Sequence, residues 1–132
     1  MTANRFSSPN TIAAPRGYSH VVETSGPGRT IYLAGQLGLK PDGTLAGGDF
    51  RAQATQAFEN VKAALASVGA DFSHVVKINN YLTDIGNLQA YFEIRDRYVN
   101  TAAPPASTTV AISSLAMPGA VYEIEAIAVI PA

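Results

Sequence analysis

The order in which strand and helix patterns alternate constrains this fold more than any other feature of the sequence. Residues 18–24 and 31–34 favour extended structure and flank a Ser-Gly-Pro-Gly turn at 25–28, which predicts a β-hairpin. From position 54 to 68 apolar residues recur every three or four positions, the period of one buried helix face, and Gly69 supplies a helix stop. The chain is therefore expected to begin with two strands and a helix.

The second half of the chain continues the alternation. Residues 75–82 are rich in β-branched and aromatic side chains, which predicts a strand. A Thr-Asp pair then marks the entry to a second helix, and the proline pair at 104–105 ends it. Two further strands, at about 108–112 and 121–130, complete the order ββαβαββ.

This order predicts an α/β (α+β) fold with one mixed sheet and both helices packed on one face. A chain of 132 residues that is 47% hydrophobic can fill one core, so we expect a single domain over residues 1–132. Nothing is left in the chain to cover the other sheet face. Charged residues make up 14% of the chain, against roughly 25% in a typical domain, so we expect the contacts of a symmetric oligomer to cover this face.

Composition and motif content also limit the function. Nine basic and ten acidic residues with no basic run do not favour a nucleic-acid partner. The absence of cysteine removes thiolate nucleophiles and cysteine-ligated zinc, and the two histidines, His20 and His74, are too few for a protein-only, histidine-rich metal site. Each is interpreted as a surface or hydrogen-bonded histidine. No common cofactor motif and no membrane-length apolar run occurs, so we expect no cofactor, no metal, no membrane partner and a cytoplasmic protein.

Two carboxylates interrupt the last predicted strand. Glu123 and Glu125 are two residues apart and therefore project to the same sheet face as Val121, Ile127 and Val129. A solvated strand face is one interpretation of this pair. The other is catalytic: if oligomer contacts bury one carboxyl group, its pKa rises and it becomes a general acid or base.

A few hydroxyl-bearing residues are further candidates. Tyr18 offers a phenolic hydroxyl or an aromatic wall to a ligand, or it fills the core. The start of a predicted strand carries Ser107, Thr108 and Thr109. Their hydroxyls either donate hydrogen bonds to a ligand or form hydrogen bonds at the strand end. No histidine lies near them in the sequence, so none has the base that a serine nucleophile requires.

Four motifs, in order and with matching spacing, resemble the RidA family, also called YjgF or Endoribonuclease L-PSP. They are Ile31-Tyr32-Leu33-Ala34-Gly35-Gln36, Val75-Val76-Lys77-Ile78 with Tyr81-Leu82-Thr83-Asp84, Pro104-Pro105-Ala106-Ser107, and Glu123-Ile124-Glu125-Ala126-Ile127-Ala128-Val129. The likeness runs from about Arg16 to the C-terminus. It implies a chorismate-mutase-like fold and a homotrimer with clefts at the subunit interfaces.

The resemblance also implies an activity and roles for particular residues. Deaminating members of the family hydrolyse enamines and imines, such as 2-aminoacrylate and its tautomer, to ketoacids and ammonia without a cofactor. By this likeness Tyr18 lines the cleft and Glu123 positions the attacking water. The backbone around Thr108 and Thr109 contacts the ligand, and Gly35 allows a close approach of the backbone.

The sequence departs from the deaminases at Ser107. Those proteins carry Pro-Ala-Arg-Ser, whereas this chain has Pro-Ala-Ser-Thr at 105–108. The planar fork of arginine makes two charge-assisted bonds to a carboxylate, which serine cannot reproduce. Losing such a pair costs roughly 2–5 kcal/mol, which is on the order of 30- to 3,000-fold in affinity. Arg16, beside Tyr18, is either a substitute cation or a surface arginine.

The sequence therefore predicts a cofactor-independent, deaminase- or hydrolase-like enzyme that acts on an imine, an enamine or a related carbonyl-derived metabolite. The reaction is water addition, deamination, or proton transfer with dehydration, and Glu123 is the acid or base. A non-catalytic trimer that binds a metabolite or partner is the alternative. A ribonuclease ranks last because the near-neutral charge attracts phosphate weakly.

Overall fold

A computed structural model describes residues 3–132 of the chain. Two 3₁₀ turns span Phe72–His74 and Ile85–Asn87. The strands and α-helices in chain order are β1 (Ala3–Ser7), β2 (Val21–Ser25), β3 (Gly28–Leu37), α1 (Phe50–Ala66), β4 (Val75–Leu82), α2 (Leu88–Arg95), β5 (Ala106–Ala111) and β6 (Tyr122–Pro131).

The main sheet has four strands in the order β3-β6-β4-β5. Strand β6 is antiparallel to both of its neighbours, whereas β4 and β5 are parallel and are connected through α2. The predicted α/β class, with one mixed sheet and two α-helices, is confirmed. Strands β1 and β2 form a separate two-stranded sheet.

The predicted hairpin between residues 18–24 and 31–34 is wrong. Strand β2 pairs with β1, with Ala3 opposite Ser25, and β3 pairs with β6 instead. The register of β3 and β6 places Ile31 opposite Ala128 and Leu33 opposite Ala126 on the core side of the sheet. A long antiparallel pairing that buries apolar side chains outweighs a local turn. Strand β1 was missed because its polar residues show no apolar alternation.

Helix α1 follows the predicted pattern closely. The Asp49 side chain accepts a hydrogen bond from the Ala52 amide at 2.9 Å and caps the N-terminus. The helix ends near Ser67, and Gly69 adopts a positive φ of 80°, which an L side chain rarely does. Its buried face comprises Phe50, Gln53, Ala54, Ala57, Phe58, Val61 and Leu65.

Both helices pack on one face of the sheet, as predicted. The ring of Tyr122 on β6 stacks against Phe58 of α1 with ring centroids 6.1 Å apart. The same ring lies 5.9 Å from the ring of Tyr91 on α2. Tyr122 is fully buried between the two helices, so this face of β6 forms the floor of the core. No helix of residues 3–132 has the length and apolarity that a membrane crossing requires.

The opposite sheet face is open in the single chain. Tyr122, Ile124, Ala126 and Ala128 are buried, and the residues that alternate with them, Glu123, Glu125 and Ile127, are only partly so. Tyr32 of β3 stands on this face with 77% of its surface exposed. The predicted uncovered face is thus present, and we call it the open face.

A polar network lies inside the core. Asn80 of β4 is fully buried, and its Oδ1 accepts a hydrogen bond from the Tyr122 hydroxyl at 2.7 Å. Its Nδ2 is 3.3 Å from Ser107 Oγ and 3.3 Å from Thr109 Oγ1 on β5. The network ties β6, β4 and β5 together and orients the two β5 hydroxyls.

We expect Asn80→Ala to lower the free energy of unfolding by about 1–3 kcal/mol, because the buried Tyr122 hydroxyl loses its acceptor. Urea denaturation measures the difference. Asn79→Ala is the matched control, since Asn79 faces Glu125 on the open face, and its effect should stay within about 0.5 kcal/mol. Equal losses in the two variants would show that the network does not stabilise the fold.

Candidate active site

The segment before β2 docks against the start of β5. The Ser19 amide donates to the Pro105 carbonyl at 3.1 Å, and the Ser19 hydroxyl donates to the Pro104 carbonyl at 2.5 Å. Ser19 also forms a parallel bridge with Ala106. This docking places Tyr18 beside β5, which lies far from it in the sequence.

A cavity of about 380 Å³ opens where this segment, α2 and β5 meet. Ile85, Leu88 and Phe92 form an apolar wall, and the remaining lining side chains are polar or aromatic. We call it the α2–β5 cavity. The residues that line it are Arg16, Tyr18, Ile85, Leu88, Phe92, Arg95, Ser107 and Thr109.

Helix α2 contributes two buried polar side chains near the cavity, Arg95 in the lining and Tyr91 next to it. Arg95 is 4% exposed, and its guanidinium carbon lies 4.8 Å from the centre of the Phe92 ring. Tyr91 is fully buried, and its hydroxyl has no hydrogen-bond partner among residues 3–132. Burial raises the pKa of Tyr91, and the neighbouring Ser107 hydroxyl and Arg95 guanidinium offset part of that rise.

Gly35 and Glu123 lie together elsewhere, where β3 meets β6. Gly35 stands at the irregularity in β3 between Leu33 and Gln36. A Cβ atom added at Gly35 would lie 1.8 Å from Oε2 of Glu123, so the carboxylate occupies the space that a side chain would take. The glycine therefore leaves room for Glu123 against the backbone.

The two carboxylates of β6 differ in their partners. Glu125 accepts hydrogen bonds from the Tyr81 hydroxyl at 2.6 Å and from Asn79 Nδ2 at 3.2 Å. The bond to Glu125 raises the pKa of Tyr81, and burial adds to the rise. Glu123 accepts no hydrogen bond from any residue of the described range 3–132. Glu125 is thus held by β4, whereas the Glu123 carboxylate keeps its lone pairs for another group.

Thr108 alternates with the cavity residues on β5. Its hydroxyl accepts a hydrogen bond from Lys77 Nζ at 2.9 Å, on the open face. Its carbonyl oxygen lies 3.3 Å from Nδ2 of the buried Asn80. The Thr108 side chain therefore points away from the cavity that Ser107 and Thr109 line.

The sequence-predicted site residues thus fall into two groups. Tyr18, Ser107 and Thr109 meet in the α2–β5 cavity, together with Arg16. Gly35 and Glu123 meet at β3 and β6, and Glu123 belongs to the open face. Within one chain the sheet separates the two groups, and no described residue of the cavity lining belongs to β3 or β6.

The α2 residues of the cavity were not identified from the sequence. Leu88, Phe92 and Arg95 are spaced four and three residues apart, which places them on one helix face. An arginine on an apolar helical stripe was the available signal. The sequence hides this signal, because the charged neighbours Glu93, Asp96 and Arg97 are typical of a solvated helix face.

The two histidines lie outside the cavity lining. His74 Nδ1 accepts a hydrogen bond from the Asp71 amide at 3.0 Å, which confirms the hydrogen-bonded interpretation for this residue. His20 packs edge-on to Tyr18 with ring centroids 5.7 Å apart. Across residues 3–132 no cluster of three or more histidine, aspartate or glutamate side chains is arranged to hold a metal ion.

A mixed four-stranded sheet with both helices on one face, and a cavity large enough for a small molecule, define a class of small α/β proteins. The sequence profile of the family described as Endoribonuclease L-PSP matches residues 8–130. The chain belongs to this family, the RidA or YjgF family that its motifs resemble.

Several relatives are similar over most of the chain. A Myxococcus xanthus protein named DfrA is 44% identical over 85% of this chain and 84% of its own length. A human 2-iminobutanoate/2-iminopropanoate deaminase is 37% identical over 76% of this chain and 73% of its own. A crystal structure of a Yersinia pestis protein of the conserved Rid family superposes with a TM-score of 0.86 at 32% identity, covering 96% of this chain and 98% of that one. Imine deaminases therefore occur among the relatives.

Gly35→Ala is expected to displace the Glu123 carboxylate, because the added Cβ would meet its Oε2 and Cδ atoms. The Glu123 side-chain carbon signal in a ¹³C NMR spectrum should shift, while the melting temperature changes little because the displaced atoms end a flexible side chain. Gly48→Ala is the matched control, since a Cβ there meets nothing within 4 Å. An unchanged Glu123 signal in Gly35→Ala would contradict the close approach.

Proposed function

We propose that this protein is a cofactor-independent imine or enamine deaminase in which Glu123 is the general acid and base. The observation that carries the proposal is the carboxylate of Glu123 itself. It lies against Gly35, where no side chain shields it, and no described residue donates to it. Glu125, two residues on, is occupied by Tyr81 and Asn79 and is not assigned this role.

The proposed reaction needs one water molecule. Glu123 takes a proton from the water while the water oxygen bonds to the imine carbon, and the imine nitrogen takes a proton from solvent, which gives a carbinolamine. Glu123 then passes its proton to the nitrogen. The carbon–nitrogen bond breaks and ammonia leaves, and the hydroxyl returns a proton to solvent to give the carbonyl. An enamine enters the same route after protonation at carbon.

The comparisons support this chemistry through the names of relatives. Mammalian proteins between 37% and 39% identical to the chain are called 2-iminobutanoate/2-iminopropanoate deaminases. By analogy the substrate here is a small imine formed from a 2-keto acid, or a close carbonyl-derived relative. We also propose a cytoplasmic location for the protein.

We further propose that the protein forms a homotrimer with its clefts between subunits. In one chain Glu123 is on the open face, and Tyr18, Ser107 and Thr109 line a cavity on the helix side. A second copy packed on the open face would cover exposed side chains such as Tyr32. It would also bring the cavity of one subunit to the Glu123 of its neighbour, where the backbone near Thr108 contacts the ligand.

The direct test is ammonia release from 2-iminobutanoate generated in the assay. We expect turnover in the wild type and a loss of about 100-fold or more in Glu123→Gln, because an amide cannot take a proton from water. Ammonia is measured by a coupled enzymatic assay, with spontaneous hydrolysis subtracted.

Glu125→Gln is the matched control, because it changes the same functional group two residues away on the same strand. Its turnover should remain within a few-fold of the wild type. A Glu123→Gln variant as active as the wild type would exclude the assigned role. A wild type that binds 2-oxobutanoate but releases no ammonia from any imine would favour a metabolite-binding protein.

Subunit mixing tests whether the site is composite. Glu123→Gln and Leu88→Trp, which fills the α2–β5 cavity, should each be inactive alone. After joint refolding at a 1:1 ratio, about a quarter of the sites of a symmetric ring would combine two intact halves and regain activity. Glu123→Gln mixed with wild type should retain about half of the wild-type activity. A mixture of the two variants that stays inactive would rule out a site shared between subunits.

A further inference from the structure

We propose that Arg95 is the anion anchor of the α2–β5 cavity and that the ligand presents a carboxylate to it. The inference rests on the proposed function for the identity of the ligand, and on the geometry of α2 for the anchor. The residue that binds the ligand carboxylate then belongs to a helix, whereas the β5 residue that faces the same cavity is the neutral Ser107.

The Arg95 guanidinium is buried and held in one orientation. The side chain is 5% exposed, and its Nε donates to Asp96 Oδ1 at 3.0 Å. The guanidinium carbon lies 4.8 Å from the ring centre of Phe92 and 5.6 Å from that of Tyr91. An aromatic floor and one carboxylate thus fix the plane of the guanidinium fork before a ligand arrives.

The outer edge of this fork is free. Within residues 3–132 neither Nη1 nor Nη2 donates a hydrogen bond, although the group is almost fully buried. These atoms lie beneath Gly17, where an added Cβ would be 2.0 Å from Nη2, so only a glycine leaves them space. Two free donors on one nearly buried planar cation match the two oxygens of a carboxylate.

A second unpartnered donor lies at the same place. The Tyr91 hydroxyl is fully buried and has no hydrogen-bond partner in the described range. The groups that act on its pKa include Ser107, Thr109 and Arg95, all of which line the cavity. A buried polar group left without a partner is costly, so this hydroxyl and the free edge of the Arg95 fork together indicate a polar ligand group.

The remaining walls of the cavity limit the polarity and the size of the rest of the ligand. Ile85, Leu88 and Phe92 face the cavity with apolar surface, which suits a short alkyl chain. The volume of about 380 Å³ admits a molecule of a few carbon atoms together with water. The ligand class is therefore a small monocarboxylate with an alkyl substituent, consistent with the imine of a short 2-keto acid.

The test compares a charged probe with a neutral one. Calorimetric titration of the wild type should show that 2-oxobutanoate binds at least tenfold more tightly than 2-oxobutanamide, which lacks the negative charge. In Arg95→Met the carboxylate should bind about 30-fold more weakly or worse, with the amide nearly unchanged. Arg95→Lys should fall between, because a point charge lacks the fork.

Arg97→Met is the matched control, since Arg97 is an exposed arginine two residues further along the chain. It should keep the preference for the carboxylate. A preference that survives Arg95→Met but disappears in Arg16→Met would transfer the anchor to Arg16 and overturn the proposal. Equal binding of the two probes to the wild type would also overturn it.

A readout on the wild type covers the case in which Arg95→Met does not fold. The ¹⁵Nε–H signal of Arg95, assigned by its absence in Arg95→Lys, should shift with 2-oxobutanoate and not with the amide. A signal unmoved by saturating 2-oxobutanoate refutes the anchor. These results differ from those expected if the proposed deaminase function is wrong. In that case Arg95 still binds the carboxylate, but no ammonia is released from any imine.

Discussion

Strand β6 lies between β3 and β4, and the alternation of its side chains from Tyr122 to Ala128 determines what each face of the sheet can contact. Tyr122 points into the core, where both helices pack on its ring and its hydroxyl reaches Asn80. Glu123, the next residue, must point the other way. A shift of one residue in register would expose the tyrosine and bury the carboxylate, so the core and the candidate site depend on the same pairing.

The two halves of the candidate site differ in how the chain builds them. The carboxylate half comes from adjacent strands, because Gly35 lies next to Glu123 across the pairing of β3 and β6. The cavity half needs three segments: the stretch around Tyr18, helix α2 and the first residues of β5. The docking of Ser19 on Pro104 and Pro105 holds these segments together.

The positive charge beside β5 in the cavity comes from the helix α2 and not from the strand. Ser107 has no charge, and Asn80 orients its hydroxyl. Arg95 supplies a guanidinium to the same cavity from the helix above. An arginine at both positions would place two like charges in one partly buried space, which is unfavourable. A neutral residue on the strand is thus compatible with a cation on the helix.

Much of the fold follows from local pattern. Three elements are visible in the sequence: the buried face of α1, the strand β4 and the alternation of β6, because helix and strand periods act over a few positions. The predicted helix entry at Asp84 caps the 3₁₀ turn Ile85–Asn87, and α2 itself begins at Leu88. The sequence also identifies the two glutamates and predicts that one sheet face is left uncovered. Residue type and spacing are sufficient for these features.

The tertiary structure decided the rest. Three features depend on how distant parts of the chain pack together. Strand β2 pairs with β1 rather than with β3, the sheet separates Glu123 from Tyr18, and Arg95 meets Ser107 in one cavity. Such contacts depend on how elements pack and on which buried donors find partners. A local pattern carries no information about either, so the sequence alone does not distinguish Arg95 from a surface charge.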